Sequence, residues 1–222
     1  MSAFSSLPLF PLNTVLFPGM PLPLHIFEPR YRLMIQRCDA LNQPFGVVLI
    51  ERGAEVGGPA TPHTVGTSAE IISLDKLPDG RMNIQTLGQN RFRIREIEQS
   101  EPFMVALVED YPVQGQGDPM AVEEAMRLRP ELRDYISMLI RASESGANFG
   151  VLPTEAMPLA FYAASMVPFP NKDKQSILEA ETLFEMLDLE RRMLRRELTL
   201  LRYLIQSRGG TRVHKGVPFS SN

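Results

Sequence analysis

The side chains that could bind a metal ion or act as a nucleophile are few and widely separated in this 222-residue sequence. The histidines are His25, His63 and His214, and the single cysteine is Cys38. Structural zinc sites take Cys and His ligands from closely spaced pairs, and no such pair occurs here. Cys38 falls on the apolar side of a predicted helix, which favours a buried, inert thiol over a nucleophile. We therefore predict no metal site, no cofactor and no catalytic residue.

The C-terminal segment GGTRVHKG loosely resembles a phosphate-binding loop. Such a loop needs glycine immediately before its lysine and serine or threonine immediately after it. His214 and Gly216 hold those positions around Lys215, and no apolar strand precedes the segment. The sequence therefore gives no support for nucleotide binding.

A basic cluster lies in the last predicted helix, with carboxylates one or two turns before it. Acid preceding base by four residues is the favourable order for ion pairs on a helix, so we expect a solvated, salt-bridged face. Contact with RNA or phosphate is the alternative. The arginines are Arg191, Arg192, Arg195 and Arg196, and the acids are Glu181, Glu185, Asp188 and Glu190.

Two carboxylates in the N-terminal half, Glu28 and Asp39, lie near the ends of a predicted helix, and neither is paired with a second acid for catalysis. Glu28 suits the positive end of the helix dipole, and Arg32 one turn later is a suitable ion-pair partner. We interpret Glu28 as structural.

The composition is that of a globular protein with 44% hydrophobic residues and a net charge of −3. The strong basic excess typical of nucleic-acid binders is missing, so we expect no nucleic-acid partner. One cysteine cannot form an internal disulfide, which favours the reducing cytoplasm. The N-terminal prolines interrupt any signal-peptide core, and no apolar run is long enough to span a membrane.

The pattern of apolar residues changes near residue 112, and the first half is β-rich. Residues 45–50, 69–74, 82–86, 91–98 and 103–108 are predicted strands, and Pro78-Asp79-Gly80 is predicted to turn the second strand into the third. One helix is predicted over 29–41, with Tyr31, Met34 and Cys38 on one side.

The second half is predicted to be helical. Residues 112–118 are expected to form a linker, and helices are predicted from near Pro130, over 155–166 with Thr154 as N-cap, and from an Asn171 N-cap to Ile205. Residues 208–222 are predicted to be a disordered tail. The long apolar stripe of the last helix must be covered, so we expect residues 1–111 and 119–207 to pack together as one unfolding unit.

Three segments carry a family resemblance. The segment LPLFPLNTVLFPGMPLPLHIFEPRYRLMI resembles the opening of Lon protease N-terminal domains. The block from Gly66 through LPDG to Arg91-Phe92 resembles the second sequence block of the same domains. KQSILEAETLFEMLDLERRMLRREL is similar to their helical segment. The matches occur in the family's order and cover nearly the whole chain before the tail.

This resemblance implies an α+β fold, in which a β-rich PUA-like barrel with one helix precedes a helical bundle that ends in a long helix. It implies a non-catalytic module that binds unfolded or tagged polypeptides as an adaptor or holdase-like factor, with a protease or chaperone as a further partner. The oligomeric state stays open. An RNA-associated PUA-like module and a small-molecule enzyme in the barrel mouth are the alternatives.

The candidate residues fall into two groups. The candidates for contacting a polypeptide through an apolar groove are Phe17, Met20, Phe27, Tyr31 and Met34, although a core position is an alternative for each. The motif residues expected to shape the fold are Pro18, Gly19, Glu28, Arg30, Arg32, Gly66, Pro78, Asp79, Gly80 and Arg91.

Overall fold

The computed structural model describes residues 4–55, 58, 60–99, 102–142 and 151–210. A β-rich half is followed by a helical half, in agreement with the change of pattern near residue 112. Its elements are β1 (Phe4–Leu12), β2 (Pro21–Ile26), α1 (Pro29–Leu41), β3 (Phe45–Gly53), β4 (Ala60–Pro62), β5 (Val65–Lys76), β6 (Met82–Gln99), β7 (Val105–Asp110), α2 (Pro119–Ala142), α3 (Ala156–Met166), α4 (Asn171–Glu179) and α5 (Leu183–Gly210).

The strands form one sheet in the order β1-β7-β6-β5-β3-β4. β1 also pairs with β3 in parallel, and β2 pairs with the first part of β6. The long strand β6 unites two predicted strands, 82–86 and 91–98, and it contacts β5, β7 and β2. β1 and β2 contain prolines, which cannot donate ladder hydrogen bonds, and for this reason neither strand was predicted from the sequence.

The predicted hairpin turn joins β5 to β6. Gly80 adopts φ 82°, and its amide donates to the Leu77 carbonyl over 2.9 Å. Asp79 contributes through its carboxylate, which accepts from the Arg81 amide at 3.0 Å. The turn therefore uses the left-handed freedom of glycine and the hydrogen-bonding capacity of aspartate.

Helix α2 starts eleven residues before the predicted start at Pro130, so Pro130 lies inside the helix. Proline there removes one helical hydrogen bond, which normally ends or bends a helix. Tertiary packing outweighs this loss, because buried residues occur on both sides of the proline: Ala121, Ala125, Leu128, Leu132, Tyr135 and Ile136.

The predicted single helix over 171–205 is wrong, because the helix is interrupted between α4 and α5. The hydroxyl of Thr182 accepts from the Glu185 amide, and the Glu185 carboxylate accepts from the Glu181 amide over 3.0 Å. This is a variant of the capping box, in which Thr and a Glu three residues later satisfy the first amides of a helix. The Thr-Leu-Phe-Glu sequence therefore starts a new helix.

Two predicted N-caps also differ from the structure. Pro170 caps α4, while Asn171 is its first residue and donates its side-chain amide to the Asn13 carbonyl at 2.6 Å. Glu155, one residue after Thr154, caps α3. The predicted tail begins inside α5, which extends to Gly210, and residues 211–222 lie outside the described residues.

One cluster of buried hydrophobic side chains is shared by the two halves, and two further clusters lie within the β-rich half. Val15, Phe17, Leu49 and Val65 of the β-rich half belong to the same cluster of buried side chains as the helices α2 to α5. The stripe of α5 is covered in part by this cluster, which includes Leu187, Leu194 and Leu198. The expected docking of the halves is therefore present, and their cooperative unfolding stays a prediction.

Gly66 has no room for a side chain. A Cβ at this position would lie 2.5 Å from the Val47 carbonyl oxygen and 2.6 Å from Val48 Cγ1. Gly66→Ala is therefore expected to lower the free energy of unfolding by about 2 kcal/mol through overpacking, as measured by urea denaturation. Gly117→Ala is the control, because a Cβ there meets nothing within 4 Å. Equal midpoints for the two variants would contradict this account of Gly66.

Candidate functional site

Arg91 joins the two halves by capping a helix. Its Nη1 donates to the carbonyls of Leu178 and Ala180, at 2.6 and 2.8 Å, where α4 ends. Its Nε donates to the Tyr111 carbonyl at 3.1 Å. The last carbonyls of a helix lack intrahelical donors and carry the negative end of its dipole, so a cation is well placed there. Arg91 thus fixes the end of α4 against β6.

Burial affects both the pKa and the hydrogen bonding of Arg91. Arg91 is 4% exposed, and desolvation lowers the pKa of its guanidinium to about 10. Its Nη2 has no hydrogen-bond partner, and Arg91 takes part in none of the ion pairs of the described residues. The guanidinium is therefore stabilised by carbonyl dipoles and not by a carboxylate of the described residues.

Tyr111 and Gln114 extend this junction. The Tyr111 hydroxyl donates to the Glu179 carbonyl at 2.9 Å, and its ring lies under the guanidinium of Arg91 at 4.6 Å. The Gln114 amide donates to the Glu181 carbonyl, and the Leu183 amide donates to the Gln114 carbonyl, both over 2.9 Å. The segment predicted to be a linker is thus hydrogen-bonded to the turn between α4 and α5.

A depression of about 340 Å³ lies at the seam between the two halves. It shares Gln89 and Asn90 with a polar depression of about 280 Å³ beside the end of α1, which is lined by residues of the β-rich half alone. On the other side it shares Gln116 and Met157 with an apolar depression of about 390 Å³ between α2 and α3. These shared residues place the three depressions next to one another, and we call the three together the seam groove.

The lining of the seam groove changes along its length. The central part combines Arg91 and Asp110 with apolar side chains, which are Pro18, Tyr111, Pro112, Val113, Met157 and Phe161. The α2–α3 end contains Met126, which is 63% exposed, and Val122. Because Pro130 has no N–H, the carbonyl of Met126 lacks its usual helical donor. The α1 end is polar and includes Asp39 and Glu70. An exposed apolar surface with polar groups at its margin is typical of an interaction site.

The five predicted contact residues do not form a groove together. Phe17, Tyr31 and Met34 are buried, Met20 is half-buried beside the core, and only Phe27, at 47%, is exposed. The α1 face that carries Tyr31 and Met34 packs against the sheet, because its apolar spacing matches a core-facing stripe. Peptide contact through the three buried residues would require the core to open, so the core interpretation fits these three.

Phe27 and Tyr31 do meet at one small cleft of about 170 Å³, away from the seam groove. Glu28 and Glu55 also line it, and the ring of Tyr31 stacks on Phe10 at 4.0 Å. The small volume of this cleft and the stacking of Tyr31 on Phe10 indicate the edge of the hydrophobic core.

The contacts of the motif residues around α1 differ from expectation at one point. Glu28 pairs with Arg30, over 3.1 Å, in place of the predicted Arg32. Arg32 instead lies against Gly80 in the β5–β6 turn. At the other end of the sheet, Gly19 adopts φ 77° after Pro18, and its amide donates to the Gly88 carbonyl over 2.8 Å.

The basic cluster on α5 is fully engaged by carboxylates. Arg191 pairs with Glu124 and Glu131, and Arg195 also pairs with Glu131, which are residues of α2. Of the expected pairs within α5 only Arg192–Asp188 forms, while Arg196 reaches Asp173 of α4. These arginines connect helices, so their charge is neutralised and offers little attraction to phosphate.

The described residues contain no group of three or more His, Cys, Asp or Glu side chains suited to a metal ion. Burial raises the pKa of the Cys38 thiol to about 11, so it stays protonated and unreactive near neutral pH. Within the same part of the chain, no helix is both long and apolar enough to cross a membrane.

Sequence reasoning missed the residues of the α2–α3 end. Met126 is an exposed apolar residue outside the buried stripe of α2. Its position relative to that stripe can be recognised only once the helix is known to begin before Pro130. Met157 and Phe161, one turn apart on α3, are half-buried beside a buried face formed by Leu159, Ala160, Ala163 and Ala164.

The fold and seam define a mixed α/β protein in which a β-rich half and a helical half pack together through a shared hydrophobic cluster. Residues 6–196 match the family of the ATP-dependent protease La (LON) substrate-binding domain. Because this match covers most of the chain, the protein belongs to that family, as its sequence motifs suggested.

Relatives of known sequence and structure agree with this assignment. The chain is 29% identical to a Lon protease of Anaeromyxobacter dehalogenans over 88% of its length and 30% identical to that of Flavobacterium johnsoniae over 90%, in each case covering 24% of the relative. A crystal structure of a Lon N-terminal domain protein from Xanthomonas campestris superposes with a TM-score of 0.62 at 25% identity, covering 83% of this chain and 95% of that one. The N-terminal domain of a Mycobacterium avium complex Lon protease has the same fold, with a TM-score of 0.58 at 19% identity and coverage of 86% and 98%.

Proposed function

We propose that this protein binds unfolded or tagged polypeptides in the seam groove, and that it does so without catalysing their cleavage. The observation that carries the proposal is a depression at the seam that shares lining residues with two neighbouring depressions, one of which has exposed apolar side chains. An extended chain gains affinity by burying apolar side chains, at about 25 cal/mol per Å², and loses part of it to ordering. Binding is therefore weak and reversible, as suits an adaptor or holdase-like factor in the cytoplasm.

We extend the proposal to the architecture. The β-rich part, residues 1–111, is a PUA-like barrel, supported by the pairing of β1 with both β7 and β3. Residues 112–118 link it to a helical subdomain over 119–207. Binding at the seam then depends on both subdomains, because each supplies part of the lining.

Met126→Glu is expected to weaken binding of unfolded polypeptide about tenfold, because it places a charge where apolar side chains dock. The measurement is a fluorescence anisotropy titration with labelled, reduced and carboxymethylated α-lactalbumin. Since Met126 is 63% exposed, the substitution should leave folding intact.

Met120→Glu is the matched control. Met120 lies on the same helix and is 57% exposed, but it does not line the groove. The control should bind like the unchanged protein. Equal weakening by both variants would indicate a general charge effect and would count against the groove.

The absence of proteolysis is tested separately with unfolded casein. Incubation with the purified protein, with and without ATP, should leave casein intact on a denaturing gel. Casein fragments produced by this chain alone would overturn the non-catalytic part of the proposal.

A further inference from the structure

The last part of β5 is open along one side in the described structure. β3 pairs with β5 only as far as Ala69, which lies opposite Phe45. The chain before Phe45 turns away, because the Gln43 amide donates to the Cys38 carbonyl at 2.9 Å. Beyond Ala69, β5 pairs with β6 alone among the described strands. We call this open stretch, residues 70–76, the β5 edge.

The hydrogen-bond pattern of β6 shows which backbone groups face the β5 edge. Gly88 bonds through its amide and its carbonyl, at 3.0 and 2.8 Å, to the segment just before β2. Backbone groups alternate between the two sides of an antiparallel strand, so those of Thr86 and Ile84 also face β2. Their partners on β5 are Ile71 and Leu74. The amides and carbonyls of these two residues therefore point away from β6, toward the open side.

Another open edge of the sheet, that of β2, lacks such donors. Among the described strands β2 pairs only with β6, and its residues whose backbone faces away from β6 are Pro21, Pro23 and His25. Proline has no N–H, so only the His25 amide is available to a further strand, and edge prolines normally prevent such pairing. The β5 edge contains no proline. It is therefore better suited than β2 to accept another strand.

We propose that an extended segment of the bound polypeptide pairs with the β5 edge as an additional strand. This inference rests on the proposed function and specifies how part of the ligand is recognised. A strand added to an open edge is held by backbone hydrogen bonds, which every residue except proline can both donate and accept. The β5 edge lies beside the polar depression of the seam groove, whose lining includes Glu70 and Ile71. Recognition of this kind suits unfolded polypeptides, because it depends mainly on the backbone.

The charges beside the β5 edge favour a basic side chain on the added segment. The lining of the polar depression contains the carboxylates of Asp39 and Glu70 and no lysine or arginine. Both acids are exposed, and neither forms an ion pair within the described part of the chain. Glu70 accepts one hydrogen bond, from Gln89 at 2.7 Å. The ligand class is thus an extended, proline-free polypeptide segment with a lysine or arginine.

N-methylated peptides test the backbone part of the proposal. Three peptides share one eight-residue sequence of valine and threonine with a single central lysine and an N-terminal fluorophore. One is unmodified, and the other two carry N-methyl groups at alternate residues, in opposite phase. Fluorescence anisotropy with the full chain should show about tenfold weaker binding for one methylated peptide and unchanged binding for the other, because only one phase of the added strand faces β5. A fourth peptide, with norleucine in place of lysine, should bind about twofold to threefold more weakly than the unmodified one.

Amide exchange measured by nuclear magnetic resonance locates the contact without a substitution. In the free protein the amides of Ile71 and Leu74 should exchange fast, whereas that of Asp75, which faces β6, should exchange slowly. The unmodified peptide should slow exchange at Ile71 and Leu74. The His25 amide on the β2 edge is the control and should not change.

Equal binding of the two methylated peptides would overturn strand addition and leave the proposed function standing. Slow exchange at Ile71 and Leu74 in the free protein would do the same, because the edge would then already be covered. Protection of these amides that grows with protein concentration, without peptide, would assign the edge to a second copy of the chain and overturn the proposal. Equal binding of the lysine and norleucine peptides would overturn the basic preference.

The unfolded protein separates failure of this inference from failure of the proposed function. If unfolded α-lactalbumin binds and the unmodified peptide does not, strand addition at the β5 edge is wrong and the proposed function stands. If neither binds, the proposed function fails together with this inference.

Discussion

Arg91→Met is expected to lower the free energy of unfolding by about 2–4 kcal/mol. The substitution removes the donor to three backbone carbonyls, which are those of Tyr111, Leu178 and Ala180. Each buried acceptor left without a partner costs about 1–3 kcal/mol, and relief from burying an unpaired charge offsets part of the loss. Because these bonds join β6 to the end of α4, the two halves should also separate more easily. Urea denaturation followed by circular dichroism measures the loss.

Arg192→Met is the control for removing an arginine. Arg192 is exposed and pairs with Asp188 on the same helix, an arrangement worth about 1 kcal/mol or less. A similar small change in both variants would mean that the helix end is held by other contacts. A second unfolding transition in Arg91→Met alone would support the role of Arg91 in joining the halves.

Glu190→Leu is expected to raise the free energy of unfolding near neutral pH by about 1–4 kcal/mol. Glu190 lies in the middle of α5, is fully buried, and neither of its carboxylate oxygens has a hydrogen-bond partner. Replacing it with an apolar side chain of similar size removes a desolvated polar group and retains the packing. Thermal or urea denaturation at neutral pH would show the gain.

The pH dependence of this effect has a definite sign. Burial raises the pKa of the Glu190 carboxyl well above its ordinary value, so the folded protein retains a proton that the unfolded chain releases. The stability linked to this proton is fully present below the unfolded pKa of about 4.3 and is lost as pH rises toward the folded pKa. Glu190→Gln cannot titrate, so its stability relative to the unchanged protein should increase with pH over that window.

Glu197→Leu serves as the control, because Glu197 lies on the same helix with a partly exposed side chain. It should change stability little and without the pH trend of Glu190→Gln. If Glu190→Leu destabilises the protein at neutral pH, the carboxyl must have a stabilising partner, and this account of α5 is wrong.

Local patterns predicted much of the fold. Helix α1 was predicted with its observed bounds because proline at its start and an apolar stripe through Tyr31, Met34 and Cys38 agree. The β5–β6 hairpin followed from the chemistry of the Pro-Asp-Gly turn. Where two sequence patterns predicted different structures, tertiary contacts decided between them, and the spacing of apolar residues does not reveal those contacts. Pro130 indicated a helix start, yet buried neighbours on both sides hold α2 together.

The α5 stripe shows a second limit of sequence reasoning. Arg191 looked like an interruption and Glu190 like part of a charged face. In the structure Glu190 is the buried residue, and Arg191 crosses to Glu124 and Glu131 of α2. A shift by one position along a helix turns a side chain by about 100°, so an apolar pattern with one charged gap does not tell which charged residue faces inward.

The candidate site was harder to predict than the fold, because the seam groove is built from segments that are distant in sequence. Gln89–Arg91, Asp110–Val113, Met126 and Phe161 come together only when the two halves dock. The family resemblance drew attention to Phe17 and Met34, whose motif positions reflect packing in the core. Arg91 was identified as a motif residue, but its role at the end of α4 required the structure.

Hydrogen–deuterium exchange, measured with and without excess carboxymethylated α-lactalbumin, tests the central claim most directly because it maps the contact without altering the protein. Binding in the seam groove predicts slower exchange in residues 89–91, 110–117 and 156–161, with little change in α1 beside Phe27 and Tyr31. Native α-lactalbumin should protect none of them. Protection confined to another surface, or no protection at concentrations that saturate binding, would contradict the assignment of the groove as the polypeptide-binding site.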